Sequence, residues 1–286
     1  MLSLIMGQTQ KVDDVLKKIQ NNFISIDKKK DSTLEKKFAQ AKSLERSGLY
    51  EEAFFLFKEI NREKPGVNKY FQPFKNYLKQ AESWDTLLVY TRDYAIARNQ
   101  DFQSQLEFLD IYIWMDAEPK WQETAFKLTN TLITNDNSMK SIIQRLVNNG
   151  KYDFAYERLK EYRQKTVSKD FYSLEMGTFF GMRMDYEKAV QEYLLFLETH
   201  PEQLQTISDR IMVYPDIPDI MHAITSILLK SPLQSSQFIL ADLLFKQKSY
   251  KEGYEMLKSN EAPPLMLFNY AEDLISVNEY MNAEKV

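Results

Sequence analysis

The chain contains no cysteine, which excludes disulfides, thiolate metal sites and a cysteine nucleophile. That absence fits a cytosolic protein and an exported bacterial one equally. Histidine is almost missing as well: His200 and His222 are the only two. Their separation makes neither an HExxH pair nor a zinc pair. Both read as structural residues, His200 at a helix end where an imidazolium meets the helix dipole favourably. Only 7 glycines and 9 prolines interrupt 286 residues, which argues against a sheet-rich or loop-rich fold. No phosphate-cradling loop, dinucleotide fingerprint or GxSxG elbow occurs. No apolar run approaches the roughly 18 residues of a membrane-spanning helix. Charge of one sign is lacking too: 37 basic and 41 acidic residues leave a net −4. That balance gives no reason to expect nucleic acid or an anionic membrane as a partner. Adjacent acids such as Asp13–Asp14 and Glu51–Glu52 point about 100° apart on a helix and do not converge on one site. The sequence therefore offers no catalytic residues, no metal ligands and no cofactor motif, and the expectation is a non-enzymatic protein.

What is present is hydrophobic and aromatic: 44% hydrophobic residues, with 17 Tyr and 18 Phe. The stretch Asp170–Pro201 organises them. Phe171, Leu174, Gly177, Phe180 and Gly181 fall at the i, i+3 and i+4 spacings of one helix face. Glycine mid-helix costs roughly 1 kcal/mol against alanine, so Gly177 implies close approach of a partner helix. Asp185 is placed to cap a second helix whose buried face carries Tyr186, Ala189, Tyr193 and Phe196, and Pro201 stops it.

Residues corresponding to Tyr186 recur as Tyr50, Trp84, Trp121, Tyr152, Ile217, Tyr250 and Tyr280, at gaps of 34, 37, 31, 34, 31, 33 and 30 residues. Side-chain types recur with them. Ala41, Leu44, Gly48, Tyr50, Ala53 and Pro65 make a near-complete copy, and Leu146, Gly150, Tyr152 and Ala155 another. Ala241, Leu244 and Tyr250 match with Gly253 in the alanine place, and Ala271, Leu274, Tyr280 and Ala283 begin a last copy. The copies around Trp84 and Trp121 are weak: Lys75 stands where a small residue belongs, and Leu87 and Thr124 replace the alanine.

A small residue midway along the first helix, an aromatic opening the second, an alanine one turn later and a closing proline resemble the tetratricopeptide repeat (TPR) family, particularly its bacterial members. The resemblance covers roughly Leu34 to the end. It implies an all-α fold, a right-handed α-solenoid of antiparallel helix hairpins in about eight repeats. Units are expected to begin near Leu34, Asn68, Gln105, Asp136, Asp170, Pro201, Gln234 and Pro264, as one array over 34–286 whose last repeat is incomplete. The two prolines of Tyr214–Asp219 should widen one turn and bend the array there.

Ahead of the array, residues 9–33 read as a leading helix and turn. Val12, Val15, Leu16, Ile19, Phe23 and Ile26 form its stripe, and it would either cap the first unit or seek a partner chain. Residues 1–8 are either a frayed apolar terminus or the remnant of a signal peptide; the second alternative goes with an exported, periplasmic location.

The resemblance also implies a function. In this family the first helices line a concave groove that holds a peptide or protein segment, and the chain is expected to be an interaction scaffold. The groove positions by register are Phe38, Lys42, Asn76, Leu109, Ile113, Lys140, Gln144, Phe171, Thr178, Asp209 and Asp242. The family's carboxylate-gripping set is not reproduced: Lys42 and Asn76 match in kind, but Leu109 and Ile113 follow them. The alternatives are self-association through the leading helix or the incomplete last repeat, or a role as the repeat arm of a larger enzyme or sensor.

Overall fold

The structure is a computed structural model that describes residues 31–132 and 135–286. The leading helix and turn up to residue 30 and the signal-remnant question lie outside the described residues. Among the described residues there is no strand. Sixteen α-helices follow one another among the described residues: α1 (31–46), α2 (Tyr50–Glu63), α3 (Asn68–Gln80), α4 (Trp84–Ala97), α5 (Phe102–Trp114), α6 (Glu118–Lys127), α7 (Asp136–Asn148), α8 (Tyr152–Lys165), α9 (Ser173–Met182), α10 (Tyr186–Leu197), α11 (Leu204–Met212), α12 (Pro218–Lys230), α13 (Gln234–Lys246), α14 (Tyr250–Ser259), α15 (Pro264–Ser276) and α16 (Tyr280–Ala283). They pair in sequence as helix hairpins, an all-α TPR-like arrangement. Residues 31–33, expected in the leading turn, already belong to α1.

One turn is used almost throughout. Seven of the eight hairpins leave three residues between their helices. In each, the middle residue has a positive φ: Gly48, Glu82, Asp116, Gly150, Met184, Lys248 and Asn278. The third residue of each turn donates its N–H to a carbonyl five residues back: Leu49 to Leu44, Ser83 to Leu78, Ala117 to Tyr112, Lys151 to Leu146, Asp185 to Phe180, Ser249 to Leu244 and Glu279 to Leu274. This is the Schellman closure, which satisfies carbonyls that the ending helix leaves without a partner. The exception is the hairpin of α11 and α12, where five residues, 213–217, form the turn and none has a positive φ. Pro215 and Pro218 account for the change, since proline fixes φ and removes a donor; the wider turn expected there is present.

Second helices therefore begin at Tyr50, Trp84, Glu118, Tyr152, Tyr186, Pro218, Tyr250 and Tyr280, spaced by 34, 34, 34, 34, 32, 32 and 30 residues. The third hairpin corrects the sequence reading. Trp121 is not the opening residue; α6 starts three residues earlier at Glu118, and α5 at Phe102 instead of near Gln105. Trp121 instead occupies the close-contact column held by Ala53, Ala155 and Ala189 elsewhere. There it is buried and meets the edge of Phe154 at 5.0 Å.

The chain divides into two units, up to Tyr156 and from Glu157. The first has a core of Ala41, Ala53, Phe57, Phe74, Leu78, Leu87 and Ile111. The second is packed in its last hairpins around Phe238, Ala241, Leu257, Tyr270 and Leu274.

Candidate functional site

First helices of both units carry charged side chains that face other first helices. In the first unit these satisfy one another. Lys75, Glu107 and Asp110 are buried, Glu107 completely. The Lys75 ammonium lies 2.6 Å from one Glu107 oxygen and 3.9 Å from Asp110. Arg145 reaches Glu107 at 3.5 Å and forms a close ion pair with Asp110. Gln72 donates to Glu107 as well, at 3.2 Å. Burial raises the Asp110 carboxyl, and the charges of Arg145 and Lys75 oppose that rise. Two acids and two bases thus balance within one network, the arrangement a buried charge requires.

The second unit does the opposite. The inner faces of α11, α13 and α15 enclose a groove of about 660 Å³, within the range of ligand-binding clefts. Leu204, Ser208, Asp209 and Met212 come from α11, Phe238, Asp242, Phe245 and Lys246 from α13, and Leu265, Met266, Asn269 and Asp273 from α15. These residues stand three or four apart on each helix, so each of the three helices turns one face to the groove. The Ser208 hydroxyl donates to Asp242, and Gln205 donates to Asp209 at 2.9 Å. Lys246 is the one base in the lining, and its ammonium donates to the carbonyls of Met212 at 2.9 Å and Tyr214 at 2.7 Å. It therefore secures the end of α11. None of the three carboxylates forms an ion pair among the described residues. Burial first, then the charges of Asp273 and Asp209, push the Asp242 carboxyl up to about 6, against the Ser208 hydrogen bond. Partial burial raises Asp273 too.

Of the groove positions expected from sequence, Asp209 and Asp242 are brought together here. The others are elsewhere. Leu109 is wholly buried and Ile113 nearly so, because the three-residue register shift turns them inward. Asp110 takes the place assigned to Ile113. Phe38 packs on Tyr70 at 5.2 Å and Phe57 at 6.1 Å, and Phe171 on Tyr162 at 5.2 Å. Lys42 pairs with Glu45 in the next turn of its own helix. Thr178 accepts a hydrogen bond from Arg210 at 2.5 Å. Lys140 is half-buried, and Asn76 and Gln144 are exposed. Asp273, Met212 and Met266 were not foreseen; recurrence of aspartate at 209, 242 and 273, 33 and 31 residues apart, was the signal available for the first.

Among the described residues no helix is long and apolar enough to cross a membrane, and no cluster of His, Asp or Glu is arranged to hold a metal ion.

No protein-family model matches the chain, and no curated protein matches it. Among solved structures, the "TPR2AB-domain:pHSP90-complex of yeast Sti1" is similar at 15% sequence identity and a TM-score of 0.31, covering 88% of this chain and 99% of that one.

Proposed function

We propose that the chain is a non-enzymatic interaction scaffold whose groove between α11, α13 and α15 takes up a segment of another protein. The observation that carries this reading is the groove itself: apolar walls and three carboxylates without a cationic partner. Grooves on stacked helices suit extended or helical segments, which fill apolar pockets and are oriented by a few polar contacts. Asn76 and Gln144, exposed on first helices of the first unit, are proposed as partner-facing positions of that unit by itself.

A photo-crosslinking amino acid placed at Met266 and, as a control, at Leu229 on α12 tests it. Leu229 is exposed on a second helix. Adducts with a defined protein at position 266 and not at 229 are expected. Equal adducts at both positions would remove the groove from consideration.

One observation favours a second reading, self-association. The last hairpin exposes Leu265, Phe268, Ile275, Tyr280 and Met281, five large apolar side chains on two adjoining helices. Concentration-dependent mass in light scattering, abolished by Phe268→Ser, would support it.

A further inference from the structure

We infer that the segment held in the groove of α11, α13 and α15 presents a cationic side chain, lysine or arginine, set among apolar residues. The inference rests on the scaffold reading and specifies its partner.

Two independent features of the groove carry it. The first is the pairing of wall and charge. Leu204, Met212, Phe238, Phe245, Leu265 and Met266 form walls that reward apolar side chains, while Asp209, Asp242 and Asp273 arrive from three different helices. A bare cation would leave the walls unused, and an apolar segment would bury carboxylates with nothing opposite them, at a cost of desolvation. A basic side chain with apolar neighbours meets both demands. An acidic segment, or a free terminal carboxylate, would be repelled.

The second is the contrast between the units. The first buries Glu107 and Asp110 and supplies Lys75 and Arg145 to match them. The second brings three acids into one groove, and its single lining lysine is turned to the carbonyls of Met212 and Tyr214. The compensating charge that the first unit provides internally is left in the second for an incoming molecule. Asp242 resists ionisation there, which a cation alongside would reverse. Met212 and Met266, flexible and polarizable, let the walls fit side chains of differing shape.

The test uses the full chain at pH 7.5 and fluorescein-labelled short peptides read by anisotropy: leucine with lysine, leucine with glutamate in the same order, and serine with lysine. Variants are Asp209→Asn and Asp273→Asn, both at exposed positions that the fold does not depend on, and Met266→Ser in the wall. The lysine–leucine peptide is expected to bind saturably, about tenfold more weakly to either Asn variant, and the other two peptides to bind poorly. If the glutamate–leucine peptide binds equally well and Met266→Ser weakens both, the cationic specificity is wrong and the groove reading survives. If Met266→Ser weakens nothing, the groove reading itself fails. If spermidine alone binds as tightly as the lysine–leucine peptide, the occupant is a small cation and the peptide inference is overturned.

Discussion

The ring of Tyr193 lies against Gly177 so closely that a Cβ at 177 would sit 2.6 Å from Cδ1 and Cε1 and 3.2 Å from the carbonyl oxygen of Ala189. The hairpin of α9 and α10 is built on that contact. Helix propensity alone favours alanine at 177 by roughly 1 kcal/mol. Overpacking opposes it by about 1–3 kcal/mol, and here it wins. Gly177→Ala is expected to lower the urea midpoint; an unchanged or raised midpoint would mean that Tyr193 moves aside without cost.

Arg163 and Glu192 form a buried fork, with nitrogen–oxygen distances of 2.9 and 2.7 Å, and the Arg163 Nε donates to the Phe171 carbonyl at 2.8 Å. Removing one partner strands a buried charge. Glu192→Ala should cost about 3–5 kcal/mol, and Arg163→Met with Glu192→Leu together should cost less than Glu192→Ala alone. A denaturant double-mutant cycle checks the sign of the coupling.

The turns make opposite predictions at equivalent places. Met184 and Gly150 are both middle residues, at φ +64° and +77°. Left-handed backbone disfavours a side chain by roughly 1–2 kcal/mol. Gly150→Ala should destabilise by about 1 kcal/mol, and Met184→Gly should stabilise by somewhat less, because glycine also loosens the unfolded chain. Thermal midpoints moving in the same direction for both would contradict the common turn.

Asp242 makes stability depend on pH. Its carboxyl is raised from 3.8 to about 6 by burial and by Asp273 of α15 and Asp209 of α11, with Ser208 of α11 opposing and Lys246 turned to carbonyls. The folded chain therefore holds a proton that the unfolded chain releases. This contribution is fully present below about pH 4 and is lost as pH rises through 6. Asp242→Asn should consequently raise the thermal midpoint at pH 7.5, by no more than about 3 kcal/mol of stability, and gain little at pH 4. Equal gains at both values would show that the effect is not ionisation.

The helix hairpins were legible because each turn leaves a local mark: Gly48 and Gly150 at the left-handed position, and Tyr50, Tyr152, Tyr186, Tyr250 and Tyr280 at the next helix start. The third hairpin misled because Asp116 holds its turn without a glycine and Trp121, the aromatic in view, lies three residues inside the helix. Asp209 and Asp242 were found by counting back from the second helix. Asp273 was not, since it stands seven residues before Tyr280 whereas Asp242 stands eight before Tyr250, so the same count passes it by. The Lys75, Glu107, Asp110 and Arg145 network escaped notice for another reason. Its partners lie on three successive first helices, and nothing local to any one of them tells that the others are near.

The inner face of α11, α13 and α15 is the proposed seat of the partner segment. Methyl-13C methionine spectra of the full chain, titrated with the lysine–leucine peptide, test it directly. Met212 and Met266 line the groove, whereas Met182, Met184 and Met281 are exposed elsewhere. Saturable shifts of Met212 and Met266 are expected, with the other three unmoved. Shifts confined to Met182, Met184 or Met281 would place binding on another face and contradict it.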